Sequence, residues 1–203
     1  DIAERFGLIR DIDRRVVREA IHLLASMEGE TAGTRLSVNL SGKVFADEHL
    51  VPLIRRELHA TGVDPSRLVL EITETAAIRD LAEAQRFVRS LKSLGCQFAL
   101  DDFGVGFASF SHLKHFPLDY VKIDGSFIRH LTRDDVDQHV VRALVEVTKG
   151  LGCATVAEFV TDEETVGLLR AFGVDFGQGF HLGEPVPVAS AGPAIATRHH
   201  LAA

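Results

Sequence analysis

Six apolar runs of strand length recur along the chain, and each carries a polar residue near its C-terminal end. Those residues are Asn39, Glu71, Asp101 with Asp102, Lys122, Glu158 and Gln178, at successive spacings of 32, 30, 21, 36 and 20 residues. Each interval is about one strand–helix unit. Such alternation is the pattern of a parallel sheet with covering helices, an α/β architecture. In a parallel barrel all strand C-termini meet at one rim, so these residues are expected to converge there.

In chain order, Ile12, Val16, Val17, Ala20, Ile21 and Leu24 recur at helical spacing. Leu36–Leu40 alternates as a strand, and a helix is expected over 47–60, stopped by Gly62 and Pro65. Leu68–Thr73 is the next strand, with Glu71 inside its apolar run; residues 80–94 read as an amphipathic helix ended by Gly95. Tyr120–Asp124 is a strand carrying Lys122. Residues 134–151 form a helix with Val136, Val140, Leu144, Val147 and Leu151 on one face. Residues 154–158 are a strand ending in Glu158, 162–172 a helix, and 174–179 a last short strand. Residues 1–187 are one domain; beyond Pro187 the composition turns to Ala, Gly, Ser and Pro, a weakly ordered tail over 188–203.

The centre of the pattern is Phe98-Ala99-Leu100-Asp101-Asp102-Phe103-Gly104-Val105-Gly106, a buried strand that runs into two adjacent carboxylates and a glycine turn. A solvated turn or a divalent cation would each offset the repulsion of the pair. The other strand ends favour the cation. Glu71, Asp101, Asp102, Glu158 and the Asn39 carbonyl are all oxygen donors suited to a hard metal. No Cys or His joins them, which disfavours zinc. Four carboxylates and Lys122 leave the set at a formal −3, and two divalent cations reverse it to +1. The empty site repels a phosphodiester and the filled site holds one. Two metals about 3.5–4 Å apart can stabilise both the attacking and leaving oxygens of an in-line displacement.

Composition removes several alternatives. A net charge of −7 argues against a general nucleic-acid binder. No run of about 18 apolar residues offers a membrane span, and Asp1-Ile2-Ala3-Glu4-Arg5 has no secretory pattern. Cys96 and Cys153 each precede an apolar run and read as buried free thiols in a reducing compartment, the cytoplasm. The ten histidines show no ligand spacing, and His112 with His115 reads as a surface pair.

At these residues the chain resembles the EAL-domain family, the bacterial phosphodiesterases of cyclic di-GMP. The resemblance rests on Val38-Asn39-Leu40-Ser41, Glu71-Ile72-Thr73-Glu74, Asp101-Asp102-Phe103-Gly104, Val121-Lys122-Ile123-Asp124, Val156-Ala157-Glu158 and Gln178-Gly179-Phe180, in order, over residues 1–187. It implies a TIM-type (β/α)8 barrel with a two-metal site. Asn39, Glu71 and Asp101 would hold one metal; Asp101, Asp102 and Glu158 would hold the other. Lys122 would stand near the attacking water and the phosphate, and Gln178 would help place water or substrate. Glu74 would anchor the loop from Phe103 to about Phe110, which in the family couples the site to a dimer interface. The implied reaction opens one phosphodiester bond to give the linear dinucleotide. It requires Mg²⁺ or Mn²⁺ and is inhibited by Ca²⁺. The implied partners are cyclic di-GMP, a second copy of the chain, and sensory or cyclase domains upstream.

Three departures stand beside the resemblance. The family begins with two strands, the second carrying the Glu-Ala-Leu triplet and a further metal ligand. Six of eight strands are visible here, and the expectation is that the parent protein carries the first two upstream. Thr161 stands where the family often has Glu, three residues after Glu158. Val105 and Phe107 stand where a hydroxyl residue and Tyr are frequent. The alternatives to an enzyme are a receptor that holds cyclic di-GMP without cleaving it, and a scaffold that binds neither metal nor nucleotide.

Overall fold

The structure is a computed structural model, and it describes residues 2–27, 31–105, 114 and 116–187. Its described strands are β1 (Leu36–Asn39), β2 (Leu68–Thr73), β3 (Gln97–Phe103), β4 (Tyr120–Ile123), β5 (Ala154–Ala157) and β6 (Phe176–Gly177). They form one sheet in strict chain order, β1-β2-β3-β4-β5-β6. The pairs β1–β2, β4–β5 and β5–β6 are parallel. The fold is therefore the α/β type expected, with six parallel strands of a (β/α)8 barrel pattern. Two compact units divide the chain, Asp1–Ala99 with Ser109–Pro117 and Leu100–Ala108 with Leu118–Ala203.

In the first unit the Ile9–Ser26 helix packs on the Leu50–Thr61 helix. Val17, Ile21 and Leu24 of the one, and Leu50, Leu53, Ile54 and Leu58 of the other, are buried. Ile12 and Val16 share the apolar spacing yet stay exposed, and Asp13 takes the buried place at the helix start. Val17, Ala20, Ile21 and Leu24 are buried as expected, and the inner stripe differs only at its edge, where Asp13 replaces Ile12 and Val16. Gly62 ends the Leu50–Thr61 helix with φ 71°, a left-handed cap open to glycine without strain. Register sets Asn39 of β1 beside Glu71 of β2.

In the second unit β4 and β5 are covered by the Asp135–Gly150 helix, which also meets the Glu163–Phe172 helix. Its buried residues are Val141, Leu144, Val145 and Thr148, while Val136 is exposed. This corrects the face expected from Val136, Val140 and Leu151: the stripe follows i, i+3, i+4, i+7 from Val141. Asp175 Oδ2 accepts bonds of 2.8 Å from both the Thr155 amide and its hydroxyl, tying β5 to the segment before β6. That last strand is only two residues long, shorter than the run 174–179 suggests.

Strand-to-helix turns are written into the sequence as caps. Thr73, Asp80, Asp124, Asp134 and Asp162 each accept a bond from the backbone of the helix that follows. The Leu81–Ser93 helix falls where the periodicity of 80–94 places one, and Thr73 starts a further short helix, Glu74–Arg79, before it. Both cysteines are buried free thiols, as expected. Among the described residues no helix is long and apolar enough to cross a membrane. His112, His115, Phe107, residues 106–110 of the loop after Asp102 and the 188–203 tail lie outside the described residues.

Candidate metal centre

β3 does not stop at Leu100. It continues through Asp101 and Asp102 to Phe103, so both carboxylates belong to the strand rather than to a turn. The strand accommodates them by a kink: Asp102 has φ 54°. Asp is among the few non-glycine residues that enter the left-handed region with tolerable strain. Asp101 is buried, while Asp102 is exposed. β4 brings in Lys122, 5 % exposed. Glu158 follows β5, its amide donating to Ile123 O at 3.3 Å.

The Lys122 ammonium lies 2.8 Å from Asp101 Oδ1 and 2.6 Å from Glu158 Oε1. Asp101, Asp102 and Glu158 each set a carboxylate oxygen within 4.8 Å of the others. Three acids and one lysine leave a formal charge of −2, with Asp101 and Lys122 buried, Glu158 half-buried and Asp102 exposed. Burial pushes the Asp102 carboxyl up, and Asp101 and Asp124 push it further, against Lys122. Burial also pushes Glu158 up, with the Lys122 hydrogen bond and charge opposing. Asp101 Oδ1 is buried and, although close to the ammonium, is not aligned for a hydrogen bond with it or any other donor.

An oxygen-only donor set and surplus negative charge together fit a hard divalent cation. Such a cation would be held by Asp101, Asp102 and Glu158. These three and Lys122 are the sequence-expected residues that one unit brings together. Gln178, just past β6, is exposed, and its backbone receives the Val160 amide and donates to Ala157 O. Asn39, Glu71 and Glu74 belong to the other unit. There Asn39 is exposed, while Glu71 and Glu74 are buried, Glu74 as the first residue of its helix.

Sequence reasoning missed two residues at this centre. Asp124 caps the Gly125–Ile128 turn through Ser126 N at 2.8 Å and adds negative potential at Asp102. Its signal was the Asp-Gly-Ser step after an apolar strand, a capping pattern. Phe159 has φ 55° immediately after Glu158, and nothing in its sequence context announces a left-handed turn at a phenylalanine.

Comparison with known proteins returns one family. The EAL domain profile matches residues 1–185. The cyclic di-GMP phosphodiesterase PdeB of Shewanella oneidensis is 38% identical over 188 residues, 93% of this chain and 22% of that protein. The bifunctional diguanylate cyclase/cyclic di-GMP phosphodiesterase MucR of Pseudomonas aeruginosa is 36% identical over 187 residues, 92% of this chain and 27% of that protein. This chain thus spans about a quarter of the length of these curated relatives. Among solved structures, the PaMucR phosphodiesterase in complex with c-di-GMP superposes with a TM-score of 0.86 at 36% identity, covering 92% of this chain and 76% of that one. The FimX EAL domain from Pseudomonas aeruginosa bound to c-di-GMP superposes with a TM-score of 0.84 at 31% identity, covering 91% and 74%.

Proposed function

This chain belongs to the EAL domain family, and from that premise we propose that it hydrolyses one phosphodiester bond of cyclic di-GMP to the linear dinucleotide, in a metal-dependent reaction. One observation carries the reading: Asp101, Asp102 and Glu158 gather their carboxylates within 4.8 Å around a buried lysine. A scaffold protein has no use for such a cluster, because buried like charges are costly. When bound, Mg²⁺ or Mn²⁺ supplies Lewis-acid polarisation of a phosphoryl oxygen.

The chain's own groups divide the remaining work. Lys122, paired with two carboxylates, would meet the anionic phosphate and the attacking water. Glu158 shares that lysine and faces the same space. Gln178 orients substrate from its exposed place beyond β6. Asn39, the last residue of β1, and Glu71, its register partner in β2, are proposed as further metal ligands. Ca²⁺ is proposed as an inhibitor because its coordination is larger and looser than that of Mg²⁺. Buried reduced thiols support a cytoplasmic setting. The greater length of the relatives supports sensory or cyclase domains alongside this one in the whole protein. A homodimer is proposed from the family resemblance.

The test is chromatographic: the 203-residue chain with cyclic di-GMP and Mg²⁺, then with Ca²⁺ in its place. Linear dinucleotide in the first and none in the second is the expected result. Nucleotide bound equally with either cation and never cleaved would establish a receptor instead. No nucleotide-induced shift in melting temperature would point to a scaffold.

A further inference from the structure

Phe159 is the residue in the second unit whose backbone is hardest to explain by local preference. A bulky aromatic at φ 55° is a strained conformation that persists only where surroundings hold it. Three contacts do so. The Phe159 ring lies flush on Gly125: a Cβ added there would sit 2.0 Å from Phe159 Cδ2 and 2.7 Å from Cγ. The Arg129 guanidinium stands over the same ring, 4.0 Å from its centroid. The backbone on either side is pinned, Glu158 N to Ile123 O at 3.3 Å and Val160 N to Gln178 O at 3.1 Å. Gly179 closes the grip, for a Cβ there would lie 2.2 Å from Val160 O. The strained peptide is the one that leaves Glu158, whose carboxylate reaches Lys122 at 2.6 Å and shares the acidic cluster.

We propose that Phe159 is a positioning residue of the metal centre: its ring, held on Gly125 under Arg129, locks the left-handed turn that aims the Glu158 carboxylate at the cluster. The inference rests on the metal reading given above and goes beyond it in naming Phe159, Gly125 and Arg129 as the device that preorganises one ligand. A ring that served only to fill space would sit inside, yet Phe159 is 49 % exposed. Its exposure makes hydrophobic burial a weak reason for the strain, and leaves orientation of its neighbour as the stronger one. Residues that orient a ligand rather than bind the metal typically change affinity by about 10–100-fold when removed.

The experiment is Mn²⁺ titration by calorimetry, with a thermal melt of each protein, on the unsubstituted chain and on Phe159→Gly, Phe159→Tyr, Gly125→Ala and Arg129→Ala. Glycine enters the left-handed region freely, so Phe159→Gly relieves strain and keeps or raises the melting temperature. The expected result is nevertheless about tenfold weaker Mn²⁺ binding. Phe159→Tyr keeps the ring and restores the affinity. Gly125→Ala displaces the ring and weakens binding as much as Phe159→Gly, and Arg129→Ala weakens it less. Equal Mn²⁺ affinity in Phe159→Gly and the unsubstituted chain would overturn the positioning role alone. No Mn²⁺ binding by the unsubstituted chain would overturn the metal reading and this inference with it.

Discussion

Two buried aspartates, one in each unit, answer the same electrostatic problem in opposite ways. Asp13, at the start of the Ile9–Ser26 helix, is 5 % exposed, and both its oxygens are matched by one residue. The Ser41 hydroxyl donates to Oδ2 at 2.6 Å and the Ser41 amide to Oδ1 at 3.3 Å. Burial raises its carboxyl and the two Ser41 bonds pull it back. Asp101 is 9 % exposed, has an oxygen with no aligned donor, and shares its space with two more carboxylates. The helix around Asp13 is regular, whereas residues adjoining the Asp101 cluster, Asp102 and Phe159, are the non-glycine residues with positive φ among those described. Residue type and burial are alike in the two places. What separates the two is the company each keeps: Asp13 is matched by the neutral Ser41, whereas Asp101 shares one lysine with further carboxylates.

That contrast can be broken experimentally. The largest effect belongs to Asp101→Asn, which removes an anionic ligand while keeping the shape. Phosphodiesterase turnover should fall at least about 100-fold, a barrier change near 2.7 kcal/mol, with the melting temperature almost unmoved. A rate near that of the unsubstituted protein would remove Asp101 from the metal set. Next in size is Lys122→Ala, expected to lower kcat by about 10–100-fold while nucleotide affinity changes much less. An effect confined to KM would assign Lys122 to binding only.

Asp13→Ala should do the reverse. It deletes a satisfied pair and strands Ser41, so urea unfolding should show a loss of about 1–3 kcal/mol, while kcat of the folded fraction stays as it was. If Asp13→Ala abolished turnover without destabilising the fold, the division drawn here would fail. The smallest effect concerns Cys96, whose thiol burial pushes up to about 12. The folded chain holds that proton more tightly than the unfolded one, so ionisation favours unfolding, and this contribution to stability is lost as pH rises from the ordinary thiol range toward about 12. At neutral pH the folded protein should resist alkylation at Cys96, and mild denaturant should expose it; mass spectrometry of labelled peptides reads both.

Much of the fold was legible because its signals are local. An apolar run followed by Asp or Thr, then an amphipathic stretch ended by Gly, repeats along the chain, and strand–helix alternation admits few topologies. The errors were also of one kind. Val16 and Val136 are apolar and stand at the expected spacing, yet Val16 lies at the edge of its buried face and the Asp135–Gly150 face starts from Val141 rather than Val136 and Val140. The short Glu74–Arg79 helix was not expected, because the Thr73 cap that starts it needs a backbone angle that hydropathy does not encode. Within the candidate site, residue types and spacing identified Asp101, Asp102, Lys122 and Glu158. They could not show that β3 continues through its two aspartates, since hydropathy does not encode the left-handed backbone at Asp102.

The sequence by itself determined the order of strands, the chemistry of their ends and hence an oxygen-rich anionic site for a hard cation. These follow from residue identity and from the short range over which side chains direct backbone. Only the tertiary structure decided which acids meet around Lys122, that Asp101 Oδ1 goes without an aligned donor, and that Phe159 is bent against Gly125 behind Glu158. Those outcomes depend on distances between residues 20 to 57 positions apart, fixed by how β3, β4 and β5 lie side by side. Charge repulsion, desolvation and steric contact act over a few ångströms in space, and separation along the chain does not encode them.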